Sequence, residues 1–236
     1  MKVYIDLHIH SSLSPCSSNE MTPNNIVNMS ILKGLDIIAI TDHNSVLNCS
    51  PIMEIGKEKG IVVIPGMEVE TKEEVHVVCL FPSLNKALKV QEVIWPLLPP
   101  MTNRKDIFGE QLLFDTKDEI IESVDKLLLT AADIELEDVD NLVRSVGGVI
   151  IPAHIDRKSY SVLSNMGFIP KNLKLKYLEL SKSCNIDEFR EQNKLDNYKF
   201  IVSSDAHDLK DISEREMFLE LQDKSIEALF NELLCF

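Results

Sequence analysis

Short apolar runs recur along the 236-residue chain, and their recurrence constrains the fold more than any other feature. Their length and their content of β-branched residues predict strands. Helical patterns separate several of the runs, and this alternation predicts an α/β fold built on a parallel sheet or barrel. The seven runs occupy residues 2–7, 36–41, 61–65, 75–81, 148–152, 175–180 and 199–203.

Capping residues and apolar stripes mark the helices predicted between these runs. A Thr-Pro or Ser-Pro pair opens the first two helices, because proline is favoured at the first helical position, and a glycine follows the end of each. An apolar stripe at helical spacing marks the third helix. The predicted helices run from Thr22-Pro23 to Gly34, from Ser50-Pro51 to Gly60, from Asp133 or Glu135 to Ser145, and over 186–195 and 223–234.

Two features depart from simple alternation. Only about ten residues separate 61–65 from 75–81, too few for a helical crossover, so these runs are predicted to be antiparallel neighbours. Residues 82–133 carry several prolines, and Gln111–Asp115 with Ile120–Val124 predict a hairpin. We interpret 82–133 as an insertion that elaborates the barrel rim, either as a lid over the site or as a structural segment.

Composition limits the classes of protein that fit the chain. Its length and its hydrophobic content of 44% predict one globular domain over residues 1–236. The net charge of −14 argues against an extended nucleic-acid surface. No apolar run approaches the roughly 20 residues of a membrane span, so we predict a cytoplasmic enzyme with no membrane association. The five cysteines, unpaired in spacing, indicate free thiols. The oligomeric state is left open.

Histidines lie at the ends of the predicted strands. His8 and His10 close the first run, and their i, i+2 spacing turns both imidazoles to the same side of an extended segment. His43, His154 and His207 each follow an apolar run. His76 begins the run that is predicted to be antiparallel, and the start of such a strand lies at the same rim as the ends of its parallel neighbours. In α/β barrels this rim carries the active site.

The histidines belong to a ligand set that is larger than one ion needs. Glu68 and Asp205 also follow predicted strands, and imidazole with carboxylate suits Zn²⁺, Mn²⁺ or Fe. Six imidazoles with these two carboxylates supply eight ligands, or nine with Cys16. We therefore predict a site for two or three divalent ions, with positions left for water.

The motifs resemble those of the polymerase-and-histidinol-phosphatase (PHP) domain family of metal-dependent phosphoesterases. In chain order they are Asp6-Leu7-His8-Ile9-His10-Ser11, Ile40-Thr41-Asp42-His43, Gly66-Met67-Glu68, His76, Pro152-Ala153-His154 and Ser204-Asp205-Ala206-His207. The resemblance implies a distorted seven-stranded, TIM-like (β/α) barrel with a trinuclear metal site. Residues 82–133 are not needed for it.

The resemblance also implies how the ligands divide among three ions. The first ion would be held by His8, His10, Glu68 and Asp205. The second would be held by Glu68, which bridges, with His76 and His154. The third would be held by His43, His207 and the residue at position 16, where the family usually has Asp or His. Here that residue is Cys16. Either its thiolate completes the third site, or the thiol lies beside a two-metal site.

Four further residues are candidates for supporting the ligands or binding the substrate. Asp6 and Asp42 lie next to ligand histidines or close to them, where a carboxylate can fix an imidazole tautomer. Asp42 can equally cap the turn that follows it. A phosphate needs a cationic partner, and Arg157, shortly after His154, is the first candidate, with Arg104 the second.

The predicted function is metal-dependent phosphoester hydrolysis. Adjacent divalent ions activate a hydroxide and neutralise the phosphoryl oxygens, so no side-chain nucleophile is needed. The substrate is expected to be a phosphomonoester or phosphodiester of a small metabolite, a nucleotide or a short oligonucleotide. An amidohydrolase also uses His-x-His, but many bridge their metals with a lysine, and 61–65 holds none. A non-catalytic metal-binding module is the other alternative.

Overall fold

The computed structural model describes residues 1–234 and shows a mixed α/β fold with a curled sheet. All seven predicted strands are present, and three short ones join them. The strands are β1 (Lys2–Ile9), β2 (Ile37–Ile40), β3 (Val62–Glu70), β4 (His76–Leu80), β5 (Leu112–Phe114), β6 (Ile120–Ser123), β7 (Val149–Pro152), β8 (Tyr177–Ser181), β9 (Lys199–Ser203) and β10 (Phe218–Glu220). The helices are α1 (Pro23–Leu32), α2 (Cys49–Lys59), α3 (Leu84–Leu97), α4 (Lys105–Phe108), α5 (Leu136–Ser145), α6 (Val162–Met166), α7 (Ile186–Asn193) and α8 (Ile226–Leu234).

A six-stranded sheet in the order β10-β1-β2-β3-β4-β7 carries most of the candidate ligands. Strands β1, β2 and β3 are parallel neighbours, and β4 is antiparallel to both β3 and β7. The predicted antiparallel pairing of the third and fourth runs is therefore confirmed. It sets His76, at the start of β4, opposite Glu70 at the end of β3. The start of β4 thus lies at the rim where the parallel strands end.

A closed seven-stranded barrel is not confirmed, because β8 and β9 form a separate parallel pair. Isolated backbone contacts join this pair to the main sheet, such as the hydrogen bond from Ile155 N–H to the Glu179 carbonyl. Beyond β7 and β9 the chain leaves the extended conformation, and His154 and Asp205 have φ values of 29° and 49°. A regular ladder does not continue through residues in this conformation.

A bulge in β1 sets the direction of its two histidines. The ladder with β2 shifts register between Asp6 and Ile9. Leu7 packs in the core cluster that includes α8, whereas Ile9, two residues later, packs in the cluster that includes α1 and α2. A bulge re-aims the side chains around it. As a result, His8 and His10 both face the interior of the rim.

Most of the predicted helices are confirmed to within a few residues. Thr22 is the N-cap of α1, and Gly60 ends α2 in the left-handed conformation that favours glycine. The predicted hairpin is confirmed as the pair β5–β6. Helices α3, α4 and α6 were not predicted. The first ends in a turn that contains Pro96, which obscured its pattern, and the other two have only 4 and 5 residues.

The segment predicted to be an insertion is hydrogen-bonded to the loop that follows β2. Gln91 in α3 accepts the backbone N–H of Val46 at 2.6 Å. Asn44 donates its side-chain N–H to the Leu128 carbonyl at 2.9 Å. Because His43 lies in the same loop, the segment contributes to the position of that imidazole.

Two predictions from composition have a counterpart in the structure. Within residues 1–234, no helix is long and apolar enough to cross a membrane. The thiols of Cys16, Cys49, Cys79 and Cys184 are free, as predicted, and Cys235 lies outside the described residues.

Glu232 attaches α8 to the β8–β9 pair. Its Oε1 accepts from the Tyr177 hydroxyl at 2.5 Å and from the ammonium groups of Lys176 and Lys199 at 3.0 and 3.1 Å. Burial alone would raise the pKa of Glu232, but these hydrogen bonds outweigh it and lower the pKa to about 2.

Glu232→Gln is expected to lower the free energy of unfolding by about 1–2 kcal/mol at neutral pH. A carboxyl with a depressed pKa in the folded state contributes stability above its unfolded pKa and loses that contribution as the pH falls. The difference between the two proteins should therefore shrink between pH 4.5 and about 2. Urea unfolding of both metal-free proteins at pH 7 and at acidic pH measures this difference in stability. Equal stability at pH 7 would show that the hydrogen bonds of Glu232 do not stabilise the fold.

Candidate metal centre

The strand ends bring all six histidines to one rim. Neighbouring imidazole centroids lie between 4.3 and 6.2 Å apart. Four of the side chains are buried, and two, His76 and His207, are partly exposed. Histidines that only improved solubility would be exposed and dispersed. The observed gathering is typical of a metal centre.

The Glu68 carboxylate lies at the centre of the cluster and is 1% exposed. Its Oε1 is 2.9 Å from His76 Nδ1 and 3.2 Å from His154 Nε2, and its Oε2 is 3.0 Å from His43 Nδ1. Burial would raise the pKa of Glu68, but the charges of His76, His8 and His43 hold that pKa well below its usual range. A carboxylate with imidazoles at both oxygens is placed to bridge two ions.

Four ligand atoms have the spacing of a single coordination shell. His8 Nε2 and His10 Nε2 are 3.1 Å apart, and they lie 3.3 and 3.1 Å from Asp205 Oδ1. Each is also 3.4 Å from a Glu68 oxygen. A tetrahedral ion with bonds of about 2.1 Å sets its ligand atoms about 3.4 Å apart. His8, His10, Glu68 and Asp205 therefore have a geometry that fits one bound ion.

Two further groups adjoin the first one. The second consists of His43, Glu68 and His76, and the third of His10, His43 and His207, with ligand atoms within 4.8 Å of one another in each group. Within residues 1–234, Glu68 Oε2 is buried and accepts no hydrogen bond of acceptable geometry, although His43 Nδ1 lies 3.0 Å away, and His154 Nδ1 is buried without a hydrogen-bond partner. Buried polar atoms are rarely left unpaired. The donor set therefore fits divalent ions. Two of the groups share Glu68, whose two oxygens can serve separate ions, whereas a shared imidazole can serve only one of the groups.

Glu179 in β8 is part of the centre, although the sequence analysis did not identify it. His8 Nδ1 lies 2.9 and 3.1 Å from its two oxygens, which can only accept, so the Nδ1–H donates and Nε2 is free for an ion. The backbone N–H of His154 also donates to Glu179 Oε1, at 3.1 Å. In the sequence, the only sign of this role is that Glu179 is a carboxylate inside the apolar run 175–180. In the structure, the Glu179 side chain is almost fully buried.

Asp42 supports His10 through a serine. His10 Nδ1 is 2.9 Å from Ser14 Oγ, whose hydroxyl donates to Asp42 Oδ1 at 2.7 Å. The backbone N–H and the hydroxyl of Ser11 also donate to Asp42, at 2.7 and 2.6 Å. Burial raises the pKa of Asp42, although these hydrogen bonds oppose it. The chain from Asp42 through Ser14 to His10 leaves His10 Nε2 facing the other ligands.

Asp6 has a different role from the one expected of it. Its two oxygens accept the backbone N–H groups of Ser204 and Ser213, both at 2.9 Å. No hydrogen bond joins it to an imidazole in the part of the chain that the structure describes. Asp6 therefore holds the segment that leads into Asp205, and Glu179 is the carboxylate that orients His8.

A cavity of about 130 Å³ opens onto the cluster. The Arg157 guanidinium lies at its wall, 2.7 Å from Asp205 Oδ2. The residues that line it are His43, Glu68, His76, His154, Arg157, Ser159, Tyr160, Asp205 and His207. Ser159 and Tyr160, two and three residues after Arg157, were not predicted because no motif marks them.

Two predicted site residues belong neither to the ligand groups nor to the cavity lining. Arg104 does not line the cavity, and its exposed guanidinium pairs with Asp106 at 2.6 Å. Cys16 is exposed, and among the described residues it belongs to none of the three ligand groups. The third group therefore forms from imidazoles alone. The spacing from His8 to Cys16 matched the family motif, but spacing does not fix the direction of a side chain in a loop.

A curled α/β sheet whose rim gathers buried imidazoles and carboxylates has the donor set of a divalent-metal site, and comparison with known proteins assigns the chain to a family. The PHP domain model matches residues 6–224. The chain belongs to the PHP domain family.

Curated relatives match parts of the chain. An uncharacterized protein from Methanocaldococcus jannaschii is 32% identical over 152 residues, which is 64% of this chain and 16% of the relative. A 5′-3′ exoribonuclease from Haemophilus influenzae is 31% identical over 78 residues, which is 32% of this chain and 27% of the relative. The chain thus spans well under two thirds of the length of these relatives.

Solved structures match nearly the whole chain. The lesion-specific endonuclease PfuEndoQ from Pyrococcus furiosus matches with a TM-score of 0.74 and 21% identity, over 99% of this chain and 56% of the endonuclease chain. A protein from Bifidobacterium adolescentis assigned as a metal-dependent phosphoesterase matches with a TM-score of 0.62 and 18% identity, over 95% of both chains. At such identities the similarity shows the fold alone.

One of these comparisons bears on the expected partners. Endonuclease Q has also been solved with a 27-mer DNA duplex that carries an abasic lesion. The expectation of no extended nucleic-acid surface rested on net charge alone, and it is partly at odds with a DNA-binding protein of this fold.

Proposed function

We propose that this protein is a metal-dependent hydrolase, and more specifically a phosphoesterase that cleaves a phosphomonoester or phosphodiester of a small metabolite, a nucleotide or a short oligonucleotide. The observation that carries the proposal is the Glu68 carboxylate, which contacts imidazoles through both of its oxygens beside the Arg157 guanidinium. Phosphoryl transfer needs this combination, because the charge on the phosphoryl oxygens has to be neutralised from several directions.

In the proposed centre, each imidazole presents one ring nitrogen to the ions. The first ion would be held by His8, His10, Glu68 and Asp205, and the second by Glu68, His76 and His154. The third would be held by His43 and His207, because the one free nitrogen of His10 already serves the first ion. When bound, divalent ions supply a Lewis acid that lowers the pKa of water and neutralises phosphoryl charge. Zn²⁺, Mn²⁺ and Fe suit this donor set.

The residues around the proposed ions fix the protonation and the orientation of the ligand side chains. Glu179 keeps the Nδ1 proton of His8, and Ser14 with Asp42 keeps that of His10, so that both Nε2 atoms stay available. Asp205 has a divided role, since Oδ1 faces the two imidazoles and Oδ2 accepts from Arg157. We propose that Arg157 turns from this carboxylate toward a bound phosphoryl group.

We also propose that residues 1–234 act as one catalytic domain, in which 82–133 supports the rim. The hydrogen bonds from α3 and from Leu128 to the loop carrying His43 support this role. No lysine lies in β3, and Glu68 of this strand lies at the centre of the ligand cluster. This favours a phosphoesterase over an amidohydrolase that bridges its metals with a lysine.

A substrate panel tests the proposal. Elemental analysis of protein purified without chelator would first give the metals that it holds. The protein loaded with Mn²⁺, Fe²⁺ or Zn²⁺ would then be assayed on phosphomonoesters, phosphodiesters, short oligonucleotides, amides and lactones. We expect hydrolysis of a phosphoester that stops on chelation and returns with metal. Turnover of amides or lactones alone would contradict the proposal.

Arg157→Ala is expected to raise KM for the phosphoester and to lower kcat/KM by roughly tenfold, because one partly exposed charge-assisted contact is lost. Arg157→Lys should recover part of the loss, since lysine lacks the bidentate geometry. Arg104→Ala is the matched control, because its guanidinium pairs with Asp106 away from the cavity. Equal effects of Arg157→Ala and Arg104→Ala on kcat/KM would show that Arg157 does not bind the substrate.

A further inference from the structure

The size of the cavity limits which part of a substrate can enter it. Its volume is about 130 Å³. Cavities that enclose a whole ligand of nucleotide size measure roughly 300 Å³ or more. Only the reacting phosphoryl group and its nearest atoms therefore enter beside Glu68, and the rest of the substrate lies at the mouth.

The side chain at this mouth is an aromatic ring. Tyr160 lines the cavity and is 47% exposed. Its inner side packs on His76, with ring centroids 4.9 Å apart and an interplanar angle of 33°. The ring thus reaches from the proposed ligands to solvent, beside Arg157.

The backbone holds this ring in a fixed place. The Tyr160 carbonyl accepts the backbone N–H of His76 at 2.9 Å. The Ser161 hydroxyl donates to the Arg157 carbonyl at 2.8 Å, which closes the loop. Tyr160 has a φ of 56°, a conformation that is costly for a bulky residue. Such conformations cluster at functional sites, where the surrounding structure enforces them.

We propose that Tyr160 is a stacking platform for a nucleobase, so that the site prefers phosphoesters of nucleosides over phosphoesters without a base. This inference rests on the proposed phosphoesterase function. A base is planar and stacks on an aromatic side chain without any need for hydrogen bonds. Among the described residues that line the cavity, Arg157 alone carries a permanent positive charge. One cationic side chain at the cavity favours a single nucleotide or a chain end over a long polyanion, which needs many cationic contacts.

The test compares adenosine 5′-monophosphate with ribose 5-phosphate, which has the same phosphoester and no base. Stacking of one base is worth on the order of 5- to 150-fold in affinity. We expect the metal-loaded protein to prefer the nucleotide by a factor in this range in kcat/KM. Tyr160→Ala should bring the preference close to one, mainly through KM for the nucleotide, whereas Tyr160→Phe and Tyr160→Trp should keep it.

Two controls separate stacking from damage to the centre. Phe168, an exposed aromatic residue that does not line the cavity, gives the matched variant Phe168→Ala, which should keep the preference. Unchanged metal content in Tyr160→Ala shows that His76 is still in place. Equal losses on both substrates, or no preference in the unaltered protein, would overturn the inference.

A binding measurement keeps the inference distinct from the proposed function. If the metal-loaded protein hydrolyses neither compound, calorimetric affinities for the two compounds still give the preference and its dependence on Tyr160. Hydrolysis of both compounds at equal rates and with equal affinities would leave the phosphoesterase proposal standing and refute the role of Tyr160.

Discussion

Glu68→Gln is expected to lower phosphoester hydrolysis by on the order of a thousandfold or more and to reduce the bound metal by at least one ion. The substitution keeps the shape of the side chain but removes the charge that faces imidazoles at both oxygens. An amide offers one weak oxygen ligand and a nitrogen that ligates poorly, so it cannot bridge two ions. Elemental analysis and steady-state kinetics on the same preparation measure both effects.

Glu70→Gln is the matched control for this variant. Glu70 lies in the same strand, two residues on, and its carboxylate is 3.9 Å from His76 Nε2 but belongs to none of the ligand groups found among the described residues. Its substitution should leave the metal content unchanged and alter turnover only slightly. Full metal content together with normal turnover in Glu68→Gln would refute the assignment of the bridging ligand.

The histidines were predictable because the constraint on them is local. An imidazole that follows a buried strand lies at the rim, and the seven strands could be read from runs of β-branched residues. The short connection between 61–65 and 75–81 added the one non-local fact needed to place His76. The only strand pairing needed was that of these two runs, which their short connection already implies.

The parts that were missed depend on contacts between distant segments. Glu179 is 171 positions from His8 in the chain, and only the packing of β8 beside β7 makes it the partner of that imidazole. The exposure of Cys16 follows from the path of a loop, which strand and helix patterns do not describe. The lack of a hydrogen-bonded ladder between β7 and β8 has a similar origin. The left-handed conformation at His154 depends on its surroundings and not on its residue type.

Glu179→Gln is expected to weaken metal binding by about 10- to 100-fold, because the carboxylate orients His8 and increases the basicity of its Nε2. Glu188→Gln is a control, since Glu188 is an exposed carboxylate in α7. The effect should depend on pH in a defined direction. Burial lowers the pKa of His8, but Glu179, Asp205 and Glu68 outweigh it and raise that pKa well above its usual value.

In the unaltered protein an incoming ion therefore competes with a proton on His8, and its affinity should rise with pH until that proton is lost. Glu179→Gln removes the largest of the attractive charges, so the pKa of His8 falls and proton competition weakens. The loss of affinity should then be greatest at alkaline pH, where His8 is neutral in both proteins, and smaller near pH 6. Competition with a chelator, from pH 6 to alkaline pH, measures the metal affinity of both proteins. A loss that is the same at every pH would show that Glu179 orients His8 without changing the pKa of its imidazole, and no loss at any pH would refute its role.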